Sequence, residues 1–194
     1  MKQFIVDNQV KKTSQAVLLV IVLFLMLFPF INSLNQFLVK IIEPLIFFKP
    51  VQDVLIPYEV RIIRVILTLL QIPMTGYSSG AIAITLITKT GEEPIVVAWN
   101  CLGWQSLLVI LVTFIIGLRG NFTASSKLEL LAIGLLGTFI FNFVRLATVF
   151  VLYYHFGRAV SMTFHDIGSV ILTMLWLFGL WYYAFNFVLQ PKTD

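Results

Sequence analysis

Charge is scarce in this 194-residue chain, where Asp, Glu, Lys and Arg together make up 11% of the residues. Soluble domains carry about 25%. Disorder is excluded, because it requires few apolar residues and many charges. Cysteine is nearly absent. With Cys101 alone, neither an internal disulfide nor a cysteine-cluster metal site can form. Glycine-rich phosphate loops and paired-histidine motifs are lacking too, so no cofactor and no metal is expected. Internal repeats are also missing, and one domain is expected over residues 1–194.

Hydrophobic residues, by contrast, reach 59%, including 18 Phe and 6 Tyr, and mean hydropathy is +0.97. A soluble fold of this composition would expose large apolar patches and associate through them. An integral membrane protein is the class that remains. The net charge of +4 comes from basic residues that flank apolar runs rather than interleave with aromatics, so no nucleic-acid partner is expected.

A spanning helix needs about 20 apolar residues. By that measure the spans fall at 16–34, 36–49, 56–73, 101–118, 129–153 and 167–189. Lys2, Lys11 and Lys12 precede the first, as in a signal peptide, but no small-residue cleavage pattern follows Ile31, so a retained helix is expected. Residues 80–99 differ: Gly80 to Thr88 alternates and is β-branched, Lys89 to Pro94 reads as a turn, and Ile95 to Trp99 is strand-like. The expected fold is an all-α membrane helical bundle of about six spans, with a small β-hairpin on the outer face before the cysteine helix. An irregular re-entrant loop is the alternative for 80–99. With the N- and C-termini cytoplasmic, nine basic residues lie inside (Lys2, Lys11, Lys12, Lys49, Arg61, Arg64, Arg119, Lys127 and Lys192) and only Lys89 and Arg158 outside.

This topology brings three reactive residues to the outer side. Cys101 begins the fourth span. Arg145 lies 18 residues beyond Lys127, a rise of about 27 Å along a helix. His165 stands in the loop before the sixth span. Each has an ordinary explanation: a lone cysteine is usually an inert small hydrophobe, an arginine can snorkel, and an interfacial histidine can have no role. Asn100, as a helix cap, would place Cys101 near amide groups that favour a thiolate. Arg145 sits within an apolar run, where a charge usually faces a polar site. Asn142, three residues earlier, shares its helix face and could orient the guanidinium. His155 is a second outer histidine without an accompanying motif. A Cys–His–Arg set suits acyl transfer: histidine moves the proton, and arginine stabilises the thiolate or oxyanion.

The pattern Ile72-Pro73, Gly80 and hairpin, then Asn100-Cys-Leu-Gly-Trp-Gln-Ser-Leu107, resembles the exosortase/archaeosortase family. Asn142-Phe-Val-Arg145 and Phe164-His165-Asp166-Ile-Gly168 are similar to its second and third motifs, in order. The resemblance covers roughly Ile62 to Phe185. Leu102 stands where bacterial members usually carry Ser, so the chain looks more like a divergent, archaeal-type subgroup. The resemblance implies a membrane cysteine transpeptidase acting on secreted proteins near a C-terminal sorting signal. Cys101 would be the nucleophile, with Arg145 and His165 as its partners and Asn100, Asn142 and Asp166 in support. The partners are then secreted substrates and an acceptor, a membrane lipid being one candidate, with the site on the outer face of the cell membrane. The competing reading is a non-enzymatic transporter subunit or assembly partner in which Arg145 and Asn142 line a polar passage.

Overall fold

The computed structural model describes residues 2–26, 48–75, 82–97 and 99–192. The helices are α1 (Lys2–Met26), α2 (Phe48–Leu69), α3 (Trp104–Gly117), α4 (Ala124–Thr163) and α5 (Ser169–Tyr183). A π-helical turn, Phe164–Gly168, joins α4 to α5, and a second, Ala184–Val188, follows α5. The strands are β1 (Met74–Thr75), β2 (Ala83–Thr88) and β3 (Gly91–Val96). By contacts the chain divides into two compact units interleaved in sequence.

One unit gathers α1, α3, α4 up to Phe139, and the chain from Thr173 onward. Its core is formed by Val17 and Ile21 of α1, Val109, Ile110 and Phe114 of α3, and Met174, Leu177 and Trp181 of α5. Phe114 meets Trp181 edge to face, with ring centroids 5.8 Å apart at 71°. Trp176 Nε1 donates to Thr138 Oγ1 at 3.0 Å although 38 residues separate them. Along a straight helix that separation would be about 57 Å, so the chain must double back between the two. Beyond α3, the backbone of Thr123 donates to Gln190 and that of Lys192 donates to Asn121, tying the α3–α4 connection to the C-terminal segment.

The other unit gathers α2, the sheet, the turn around Cys101, and Ile140 to Leu172. On α2, Ile56, Val60, Ile63 and Leu67 recur at helical spacing and are buried together with Ile72, Ile84, Leu86 and Phe150. The helix ends where Gln71 adopts a left-handed φ of 58°. There Ile72 N–H bonds Leu67 O and Gln71 N–H bonds Thr68 O, which satisfies two terminal carbonyls and buries Ile72. The sheet order is β1-β2-β3, antiparallel throughout. Thr88 pairs with Gly91, leaving a two-residue turn of Lys89 and Thr90. The expected turn through Pro94 is therefore corrected: Gly91 to Val96 form a strand. Pro94, which has no N–H to donate, is tolerated because β3 lies at an edge of the sheet. Ile84 and Leu86 point into the core at strand spacing.

Gly157 has φ 80° and ψ −177°, a conformation open essentially to glycine, and it breaks the helical path of α4. Ser161 Oγ donates to Val149 O across that break at 2.8 Å. One residue thus makes the reversal that the sequence reading placed in a loop between Tyr154 and His165. Helical structure resumes at once and carries His165 into the π-helical turn.

The six-span helical bundle is not what forms. Among the described residues there are four separate helical runs and a three-stranded sheet, and one run, Ala124–Val188, is long and apolar enough to cross a membrane. The fourth expected span shrinks to the 14 residues of α3. At 1.5 Å per residue that is about 21 Å, against a hydrocarbon core of about 30 Å. The third carries Pro57, Glu59, Arg61 and Arg64 within α2. The fifth and sixth belong to the single run from Ala124. The first begins at Lys2 rather than at residue 16, and almost all of the second, 36–49, lies outside the described residues. Apolar runs were the basis of the count, and apolarity alone does not separate a lipid-facing helix from one that lines a core.

Candidate active site

Cys101 lies in a 3₁₀ turn, Trp99–Leu102, which Gly103 ends with a φ of 70°. Trp104 then opens α3. The capping position of α3 therefore falls on Gly103, not on Asn100 as expected. Asn100 shares the 3₁₀ turn with Cys101, and its side chain lies outside the described part of the structure.

Asn142 and Arg145, one helical turn apart on α4, are both buried. Asn142 Nδ2 donates to the Cys101 carbonyl oxygen at 3.0 Å and to Glu59 Oε1 at 2.7 Å. An amide nitrogen has two hydrogens, and both are used. The opposite amide orientation would set an oxygen against two acceptors, so the contacts determine which way Asn142 faces. Gly103 is the close neighbour on the other side: a Cβ there would fall 2.5 Å from Asn142 Oδ1. The glycine thus serves both the left-handed backbone and the approach of α4.

Arg145 interacts electrostatically with Cys101 and with Glu59. Among the described residues no direct Glu59–Arg145 ion pair forms. Glu59 Oε2, Asn142 Oδ1 and Arg145 Nε are buried without a hydrogen-bond partner among the described residues. Cys101 itself is partly buried. Chemically, the arrangement holds a thiol-bearing turn by its backbone and sets a fixed cation within reach of the thiol's charge.

His165 engages its chain neighbour, Asp166. Its Nδ1 is 3.0 Å from Asp166 Oδ1, with the side chains 27% and 57% exposed. The π-helical turn that carries both residues is a distortion often found at functional sites. His155 packs against Tyr154 and Phe156. The sequence-derived residues thus fall into two groups: Cys101, Asn142 and Arg145 together, and His165 with Asp166.

Glu59 is the member that the sequence reading missed. A signal was present, since Glu59 follows Ile56 by three residues and precedes Ile63 by four, on the apolar stripe of α2, while Arg61 lies off it and is exposed. A carboxylate on a buried stripe has to be paired. A groove of about 520 Å³ opens elsewhere on α2, lined by Arg61, Arg64, Val65, Thr68 and Leu69, and it includes none of these site residues. Compared with protein-family models, curated proteins and solved structures, the chain matches none.

Proposed function

We propose that the chain is a membrane-embedded cysteine transpeptidase or peptidase that cleaves secreted proteins near a C-terminal sorting signal. The observation that carries this reading is the clamp on Cys101: α4 grips its carbonyl through Asn142 and presents buried Arg145 to it electrostatically. An incidental cysteine needs neither. The same contacts weigh against a polar passage, because both hydrogens of the Asn142 amide are committed inside the cluster.

In the proposed reaction the Cys101 thiolate attacks the scissile carbonyl and forms a C–S bond. The C–N bond then breaks, and the leaving amine takes a proton from His165, which Asp166 orients. The upstream protein is left as a thioester. An amine, a hydroxyl-bearing lipid or water attacks it and gives its proton to His165, and the C–S bond breaks to release the Cys101 thiolate. Arg145 stabilises the anionic sulfur and the tetrahedral oxyanion. The mostly apolar run Ala124–Val188 supports residence in the membrane. By the positive-inside rule, the distribution of basic residues supports cytoplasmic termini and a site at the outer face.

The test compares the C-termini of secreted proteins in cells making the wild-type chain and Cys101→Ala. Trimmed C-termini in the wild type and untrimmed ones in the variant are expected. Normal processing by Cys101→Ala overturns the mechanism.

A further inference from the structure

We infer that Glu59 is a positioning residue for Cys101, acting through Asn142 and not by touching the thiol. This inference deepens the cysteine-nucleophile reading and rests on it.

The argument starts from the two hydrogens of Asn142 Nδ2. One goes to Glu59 Oε1 at 2.7 Å and the other to the Cys101 carbonyl at 3.0 Å. Without Glu59 the amide could rotate about its terminal torsion, which is broad and roughly two-fold, and its oxygen could turn toward the cysteine turn. The 2.7 Å contact to the Glu59 carboxyl oxygen removes that freedom, since turning the amide would set its oxygen against two acceptors. Both side chains are buried, so water cannot readily replace the missing partner. Glu59 sits 83 residues from Asn142, and the bond therefore ties α2 to α4 at the level of the cysteine turn.

Glu59 and Arg145 interact electrostatically, and Glu59 Oε1 accepts from the Asn142 amide. Arg145 Nε is without a hydrogen-bond partner among the described residues. Arg145 is buried and interacts electrostatically with Cys101.

The test reads the alkylation rate of Cys101 by iodoacetamide in the folded, full-length protein in lipid nanodiscs, followed by intact mass. It does not depend on identifying a substrate. The variants are Glu59→Gln, which keeps an acceptor for Asn142, and Glu59→Leu, which removes it at similar volume. The Leu variant is expected to slow alkylation by about fivefold or more, the size of a coupling between directly bonded neighbours. Glu59→Gln is expected to restore the rate to within about twofold of wild type, since the hydrogen bond survives without the charge. In an Asn142→Ala background, Glu59→Leu should have no further effect. A purely structural role would give no rescue by Gln and independent, additive losses. Equal slowing by Gln and Leu, no slowing by Leu, or a Leu effect that persists in Asn142→Ala each overturns the proposal. Should Glu59→Leu not fold, Asn142→Asp with Glu59 intact must slow alkylation, and an unchanged rate there overturns it as well. If the positioning result holds while Cys101→Ala still processes substrate, the transpeptidase reading fails and the positioning does not.

Discussion

Asn142 Nδ2 lies 3.0 Å from the carbonyl oxygen of Cys101, so α4 holds the cysteine by its backbone and leaves the sulfur out of the bond. The amide and Arg145 lie one turn apart, so the same helix face that grips the turn also carries the charge. Removing the amide should therefore loosen the turn and destabilise the fold together. Asn142→Ala is expected to cost about 1–3 kcal/mol, because Glu59 Oε1 and the Cys101 carbonyl lose their common donor. Thermal unfolding in detergent, with iodoacetamide labelling alongside, checks both effects.

Gly103 should tolerate no side chain. Alanine there would meet a φ of 70° and a Cβ 2.5 Å from Asn142 Oδ1. Gly103→Ala should lower the melting temperature and slow Cys101 labelling, because the displaced amide is the one that holds the turn. A variant as stable and as reactive as wild type would contradict the packing described.

Gly157 is the control in which strain acts without packing. Its φ is 80° and a Cβ would meet nothing within 4 Å. Gly157→Ala is thus expected to cost about 1–3 kcal/mol through the backbone alone. Cys101 labelling in the fraction that remains folded should be unchanged. Circular dichroism and labelling on the same sample separate the two.

Much of this was legible in the residues, and the exceptions have physical causes. Alternation of Ile84 and Leu86 with less buried neighbours marks β2 as a half-buried strand, and the arginine in an apolar run does mark a polar cluster. Glu59 is hidden in the sequence because α2 reads as a span, which makes its charges look like an entrance to the membrane instead of one buried carboxyl beside exposed Arg61 and half-buried Arg64. The length of α3 was hidden because Cys101 and Leu102 are apolar enough to extend the run, whereas Gly103 interrupts the helix between them and Trp104. Reversal at Gly157 leaves no mark on hydropathy at all, and a loop was expected where a single glycine suffices.

Arg145 and His165 should separate under mutation. Arg145→Lys keeps a charge but loses the planar fork, and substrate processing should fall by about 10²–10³-fold, the loss typical of one oxyanion donor. His165→Ala should reduce processing by about 10²–10⁴-fold, as expected for a lost proton carrier. Its stability should stay within about 0.5 kcal/mol of wild type, because the His165–Asp166 pair is partly exposed. Processing rates measured beside unfolding curves distinguish a chemical role from a structural one.

The most direct test of the account is intact-mass analysis of the full-length protein recovered from the membranes of cells that express it, quenched in acid to preserve acyl-enzyme. A hydroxylamine-labile adduct on Cys101, absent from Cys101→Ala, is the predicted result. Active processing with no adduct on Cys101, or the same adduct mass in Cys101→Ala, would contradict the account.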